Sequence, residues 1–393
     1  MIDVGNGHEE LVAYTPKPND APIPGQRHGD ASGALEIPEA AKPIGSPASL
    51  ESIEDLFLAG QHLEQYRHAT RDPELYYREA LRRDPGDSRS NTALGRLLMR
   101  RGCPQEAEPM LRNAVERLTR HNPNPAEGEA HFLLGRCIIQ QLDRTRFEAE
   151  DLRAREASAV AALWKSTWCN AWQESAFFEL ARLAAKGISD APVPATPQQQ
   201  GIDLARRCLE KNANHGRASH LLVALLFENG NIEEAERVGR QEIKRDPFNL
   251  GVLFELCSRG YEKWTVFEER SRMDWNSLSE LAIDMRAAGL LKSARDVLEM
   301  WVRATNKSRS GSSAVLEHPS AAYVQATARD AEGLVRYHLA SVLRELGDAE
   351  GANQQLKEAA DVPAGAVFPN KTEDIAVLEE AARLNPADAV APY

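Results

Sequence analysis

A helical pattern recurs along this chain about every 34 residues. Its clearest copy joins a first helix rich in leucine to a second helix rich in alanine, with residues Leu94, Gly95, Leu98, Gly102, Ala107, Leu111 and Ala114. Small residues let two helix backbones approach closely, while the leucines interdigitate between them. The pattern therefore predicts pairs of antiparallel helices, and its recurrence predicts that these pairs stack into an α-solenoid.

The same spacing returns in at least four other stretches. The matching residues are Tyr77, Ala80, Leu81 and Pro85; Leu222, Leu226, Gly230, Ala235 and Pro247; Leu281, Met285, Gly289, Ala294 and Leu298; and Leu339, Leu343, Gly347, Ala352, Leu356 and Ala359. The pattern and its period resemble tetratricopeptide (TPR) repeats. The resemblance implies an all-α fold, a right-handed superhelix of antiparallel helix pairs, over residues 50–393.

Composition narrows the functional classes. Charged residues make up 27% and aromatic residues 6% of the chain, a mixture typical of helices with solvated outer faces. The formal net charge of −12 argues against nucleic-acid binding, which requires a dominant basic surface. No apolar run reaches the ~18 residues of a membrane span, and the amino terminus lacks a secretion signal. Five scattered cysteines predict reduced core residues in a cytoplasmic protein rather than disulfides or metal ligands.

The amino-terminal region has a different character. Residues 1–14 contain one strand-like stretch, 10–14, that has no partner strand. Residues 15–49 are rich in proline, glycine, alanine and serine, a composition that predicts a flexible, disordered linker. Helical periodicity starts near Leu50, and Ser49 is the candidate N-cap of the first helix.

Three stretches interrupt the repeat. Residues 143–160 are rich in alanine and glutamate and are expected to lengthen helices, whereas 187–200 and 304–330 are predicted as an exposed loop and a mobile loop. Near the carboxyl terminus, residues 375–386 are predicted to form the second helix of a pair. The tail at 387–393 is typical of the start of a further first helix, so we expect the chain to be part of a longer or shortened protein.

Four stretches are more distinctive than the general repeat: 58–95, 120–135, 164–181 and 367–389. They resemble an uncharacterised family of microbial proteins that joins an amino-terminal β-sandwich, similar to galactose-mutarotase-type carbohydrate-binding folds, to a long TPR array. The resemblance implies that residues 2–14 are the last strand of that sandwich and that the rest of the sandwich is absent. Because sugar-directed chemistry would lie mainly in the absent part, no catalytic residue is assigned.

Signatures of catalysis and cofactor binding are missing. The chain has no GxSxG elbow and no phosphate-binding GxxxxGK[ST] loop. His8 and Glu9 begin a zinc-binding HExxH pattern, but Val12 stands where the second histidine is needed. The sequence therefore predicts a protein that is not an enzyme and that holds no cofactor or metal.

The concave face of the first helices is the candidate binding surface. Counted from the Leu-Gly positions, this face presents Arg89, Thr92, Arg96, Arg100, Phe132 and Arg136. Guanidinium groups bind carboxylates and phosphates bidentately, so these residues fit an acidic or phosphorylated peptide. The alternative is that the arginines pair with glutamates and aspartates of the solenoid itself.

Three tryptophans, Trp164, Trp168 and Trp172, form a second candidate site. The first two are four residues apart and so share one helical face, and a turn is expected before the third. They could form a platform for a sugar or a peptide, or they could fill the space between adjacent helix pairs. The sequence leaves both interpretations open.

Two functions follow from these features. The first is a non-catalytic scaffold that recruits a protein partner through the groove. The second is the carboxyl-terminal part of a carbohydrate-related protein whose sugar-binding or catalytic domain lies outside this chain; the strand-like stretch at 10–14 favours this second function for an ancestral protein.

Overall fold

A computed structural model describes residues 43–142, 148–189, 196–309, 320–362, 369–388 and 390–391. The chain divides into two units, Met1–Ser46 and Pro47–Tyr393. The predicted strand at 10–14 and most of the predicted linker lie outside the described residues.

The described part of the second unit consists of helices and their connections, and it contains no strand. A short 3₁₀ turn at Pro47–Ser49 precedes the α-helices. These are α1 (Ile53–Gln65), α2 (Pro73–Arg83), α3 (Ser88–Arg100), α4 (Pro104–Thr119), α5 (Glu129–Gln140), α6 (Ala149–Ser166), α7 (Asn170–Ala185), α8 (Pro197–Lys211), α9 (Gly216–Glu228), α10 (Ile232–Arg245), α11 (Leu250–Ser258), α12 (Trp264–Ser271), α13 (Trp275–Ala287), α14 (Leu291–Arg309), α15 (Ser320–Glu345), α16 (Ala349–Ala360) and α17 (Thr372–Leu384).

Successive helices pack as pairs, from α1 with α2 to α15 with α16. The first helix of most pairs also contacts the first helix of the next pair, as α3 contacts α5 and α5 contacts α7. Each pair therefore buries its apolar face against its neighbours, which is how a solenoid builds a core without one central cluster. The predicted all-α solenoid of helix pairs is confirmed.

Glycine in the first helix allows the pairs α3/α4 and α5/α6 to close. A Cβ built on Gly95 of α3 would lie 2.6 Å from Cγ of Leu111 on α4, and one on Gly135 of α5 would lie 2.8 Å from Cγ of Leu163 on α6. Both leucines are fully buried. The Leu-Gly motif thus marks the closest approach between the two helices of a pair.

A second set of glycines ends the first helices. Gly102, Gly230, Gly289 and Gly347 have φ between 75° and 86°, the left-handed region that residues with a side chain rarely adopt. The chain can reverse within a few residues at these points because glycine carries no Cβ.

Helix boundaries differ from the prediction at several places. Ser52, and not Ser49, caps α1, because Ser49 lies in the 3₁₀ turn and the Ser52 Oγ accepts a hydrogen bond from Asp55 N at 3.0 Å. Part of the loop predicted at 187–200 is helical, since Thr196 caps α8 and Pro197 occupies its first turn. Of the loop predicted at 304–330, the two ends are helical, because α14 continues to residue 309 and α15 begins at 320.

Candidate functional site

The predicted groove residues of α3 lie on one face of that helix. Arg89, Arg96 and Arg100 follow each other at intervals of seven and four residues, and their side chains are 43%, 32% and 56% exposed. Thr92 lies between them but is 8% exposed, and its Oγ1 donates to the carbonyl of Ser88 at 2.7 Å. Three arginines of the predicted set therefore reach the surface of α3, and the threonine does not.

A partly buried glutamate from α1 organises two of these arginines. Glu64 accepts hydrogen bonds from Tyr77 Oη at 2.9 Å and from Arg100 Nη2 at 2.6 Å, and its carboxylate also lies 3.4 Å from Arg96 Nε. Arg96 reaches forward as well, donating from Nη1 to Glu129 of α5 at 2.5 Å. Burial and the nearby Glu64 charge raise the pKa of Tyr77, so its hydroxyl remains a donor. The network fixes the guanidinium groups across three helix pairs.

Arg89 is held separately and more loosely. Its Nη2 lies 2.6 Å from Glu54 of α1, whose side chain is 52% exposed, and its guanidinium lies 4.9 Å from the centre of the Phe57 ring. Because both partners of this ion pair are solvated, the pair adds little stability. The Arg89 guanidinium can exchange Glu54 for another carboxylate at small cost.

The two predicted groove residues of α5 both contact α7. Phe132 stacks on Trp172 of α7 with ring centres 4.8 Å apart. Arg136 donates to Glu179 of α7, a carboxylate with 6% of its side chain exposed, and Glu179 also lies 3.2 Å from Arg182 Nη1. The charge of Glu179 raises the pKa of Arg136. Arg136 is therefore paired with a buried carboxylate of the solenoid, and Arg89, Arg96 and Arg100 also have glutamate partners, as the internal-pairing alternative expects.

Sequence reasoning missed the continuation of this network. Arg217 of α9 pairs with Asp284 of α13, and both line a narrow cleft together with Arg182, Phe178 and His220. Burial lowers the pKa of Arg182 and raises that of Asp284. The charges of α7, α9 and α13 are thus brought together although the helices are far apart in sequence.

One sequence signal could have found Arg182. Arginine directly follows the Leu-Gly or Leu-Ala position of three successive first helices, at Arg96, Arg136 and Arg182. The recurrence places all three at the same point of the repeat, facing the next first helix. No comparable signal marks Asp284, because its ion pair with Arg217 joins two helices that are 67 residues apart in sequence.

The three tryptophans occupy three different environments. Trp164 of α6 packs at the edge of the core, with its ring centre 6.3 Å from that of Phe177. Trp172 stacks on Phe132, as described above. Trp168 follows the end of α6 and is 67% exposed, with Lys165 Nζ 5.6 Å from its ring centre. Trp168 therefore does not share a helical face with Trp164, because α6 ends at residue 166.

The described residues offer no other obvious chemistry. Within them, no group of three histidine, cysteine, aspartate or glutamate side chains is arranged to hold a metal ion. The five cysteines are free thiols, of which Cys137, Cys208 and Cys257 are buried. Burial raises the pKa of Cys137 and Cys208 to about 12, so these thiols are poor nucleophiles. Among the helices described, none combines the length and apolar character needed to cross a membrane.

Comparisons with known proteins add a family match and several similar structures. A family model described as tetratricopeptide repeat matches residues 92–162. The crystal structure of YrrB, described as a TPR protein with an unusual peptide-binding site, shares 15% identity over 51% of this chain and 90% of its own, with a TM-score of 0.39. MamA shares 15% identity over 50% of this chain and 92% of its own, with a TM-score of 0.38.

A third similar structure is that of Naa15/Naa10 bound to HypK-THB, with 12% identity over 85% of this chain and 58% of that chain, and a TM-score of 0.33. The family match begins within α3 and ends within α6. It therefore covers the pairs α3/α4 and α5/α6, in which the Leu-Gly motif occurs at Gly95 and Gly135. This part of the chain is a tetratricopeptide-repeat region.

Proposed function

We propose that the protein is a non-catalytic scaffold that binds an acidic protein or peptide segment on the exposed arginine face of α3. The observation that carries this proposal is the row of partly exposed arginine side chains at Arg89, Arg96 and Arg100. They lie on a first helix of the TPR region, so they face the side on which successive first helices meet.

The glutamates that pair with these arginines support the proposal. Glu64 and Glu129 hold the guanidinium groups in place before a partner arrives, so that little side-chain entropy is lost on binding. Each arginine has five N–H donors, and one carboxylate contact leaves others free for a second carboxylate. The binding should weaken with added salt, because the contacts are solvated ion pairs.

Peptide binding tests the proposal. Two fluorescein-labelled 15-residue peptides, identical except that glutamates in one are glutamines in the other, are titrated into the full-length protein. We expect the acidic peptide to bind at least about tenfold more tightly. The double variant Arg89→Gln/Arg100→Gln should remove most of this difference. Glutamine is used because a glutamate at position 100 would be repelled by Glu64 and would disturb the fold.

Arg112→Gln is the matched control. Arg112 lies on the second helix α4, is 50% exposed and pairs with Glu108 one turn earlier, so it resembles Arg100 in exposure but not in position. The control should bind the acidic peptide as the unaltered protein does. Equal affinity for the two peptides, or an equal effect of the control and the double variant, would refute the proposal.

A further inference from the structure

Helix α17 does not continue the regular order of helix pairs. It contacts α15, as the first helix of a next pair would, but it packs little against α16, whereas α4 and α14 each pack extensively against the following first helix. Its other side approaches the opposite end of the array: a Cβ built on Gly102, in the turn after α3, would lie 2.8 Å from Cδ1 of Ile375. The charge of Glu373 also contributes to the raised pKa of Arg136 on α5. Helix α17 thus lies between first helices that are distant in sequence.

Polar contacts align α17 on α15. Asp374 and His338 form a buried hydrogen bond of 2.8 Å, with 1% and 3% of their side chains exposed. One turn and a half later, Glu380 accepts a hydrogen bond from Ser341 at 2.5 Å and one from Arg344 Nη1 at 2.8 Å. Two carboxylates of α17, six residues apart, are therefore hydrogen-bonded by three side chains of α15.

Two further contacts extend this surface. Tyr337 Oη donates to Asp388 at 2.7 Å, beyond the end of α17. At its other end, Lys371 Nζ donates to Asn276 of α13 at 2.9 Å. We call the surface formed by Asn276, Tyr337, His338, Ser341 and Arg344 the α17 face.

The rest of the contact is apolar. Val377 and Ala381 are buried, and Leu378 and Ala382 are partly buried against the same core. Ile375 and Leu384 remain 41% and 37% exposed. The contact of α17 therefore combines one apolar face with the carboxylates of Asp374 and Glu380, and another amphipathic helix of the same design could occupy the same surface.

We propose that the α17 face is a binding site for an acidic amphipathic helix of a partner protein, which α17 occupies within the free chain. The partner helix carries two carboxylates six residues apart with small apolar residues between and beside them, at the positions of Asp374, Val377, Glu380 and Ala381. This proposal rests on the proposed peptide-binding function, but its site is formed by side chains of α13 and α15, whereas the first site is formed by the arginines of α3. Because α17 is tethered to the rest of the chain, it competes with a partner helix for the α17 face at an effective concentration near the millimolar range. A partner helix must bind tightly enough to displace α17 at its own concentration.

Two double variants of the full-length chain test the proposal. The displaced variant, Glu380→Arg/Ala381→Arg, is designed to release α17 from α15. It sets a cation against Arg344 and a large side chain into a position that is 1% exposed. Ala376→Arg/Glu379→Arg makes the same two substitutions on the exposed side of α17. The probe is a labelled synthetic peptide with the sequence of residues 370–388.

We expect the displaced variant to bind this peptide at least tenfold more tightly than the unaltered protein or the control double variant. Hydrogen exchange should show fast exchange in α17 alone, with α13 and α15 still protected. A peptide in which the residue at position 380 is arginine should not bind.

Three results would overturn the proposal. The displaced variant could bind the peptide no better than the control does, or α13 and α15 could lose protection together with α17, which would make α17 a structural cap. Light scattering could also show that the displaced or unaltered protein exchanges α17 between two copies, and the occupant would then be a second copy. The α3 variants Arg89→Gln/Arg100→Gln should leave binding of this peptide unchanged, so failure at one site is distinguishable from failure at the other.

Discussion

The ion pair between Arg136 and Glu179 provides the sharpest test of the groove assignment. The Arg136→Met variant keeps most of the aliphatic stem and removes the charge. Glu179, with 6% of its side chain exposed, is then left with Arg182 at 3.2 Å as its remaining cation. Breaking a buried ion pair by removing one partner costs roughly 3–5 kcal/mol. Because Arg182 compensates in part, we expect a loss of about 3 kcal/mol in the free energy of unfolding.

Urea unfolding followed by the helical circular dichroism signal measures this loss. A solenoid can unfold one repeat at a time, so hydrogen exchange of the α5 and α7 amides should accompany the urea curve. The double variant Arg136→Met/Glu179→Gln should recover most of the stability, since no buried charge is then left unpaired. The control Arg112→Met removes an exposed arginine and should cost about 0.5 kcal/mol or less. Equal costs for the Arg136 and Arg112 variants would refute the internal pairing of Arg136.

Two further predictions concern the helix contacts. Gly95→Ala should lower the free energy of unfolding by about 1 kcal/mol, because overpacking against Leu111 costs about 1–3 kcal/mol and the gain in helix propensity is about 1 kcal/mol. Gly333→Ala on α15 should instead stabilise the protein, because a Cβ built there meets its nearest atom at 3.8 Å. Thermal unfolding that shows the same sign for both variants would contradict this prediction. The neutral ring of His215 accepts a hydrogen bond from Ala218 N at 3.0 Å and caps α9, and burial lowers its pKa below the ordinary 6.5. The folded state therefore binds its proton less readily than the unfolded state, so this stabilisation is complete above pH 6.5 and declines as the pH falls below it. His215→Asn keeps a cap and should flatten the dependence of stability on pH between 5 and 7, on the order of 1 kcal/mol; an unchanged slope would refute the assignment.

The helix pairs could be predicted from the sequence because their determinants are local and repeated. Gly95 and Leu111 are sixteen residues apart, within one unit, and Gly135 and Leu163 repeat the same packing in the next pair. The positive-φ glycines at the ends of first helices are predictable for the same reason, since a left-handed residue is needed wherever the chain reverses tightly. The predicted cap Ser49 is wrong because this residue lies in the 3₁₀ turn, while Ser52 exchanges hydrogen bonds with Asp55 in the first turn of α1.

The contacts between distant helices were decided by the tertiary structure. The arginines of the groove were identifiable from the repeat, but their partners Glu64 and Glu179 lie 32 and 43 residues from Arg96 and Arg136, and many glutamates could have served. Likewise, residues 375–386 have the pattern of a second helix, and nothing in that pattern indicates that α17 packs on α15 rather than in a pair of its own. Periodicity determines which face of a helix is apolar, whereas the neighbour that covers this face depends on the accumulated geometry of all the preceding pairs.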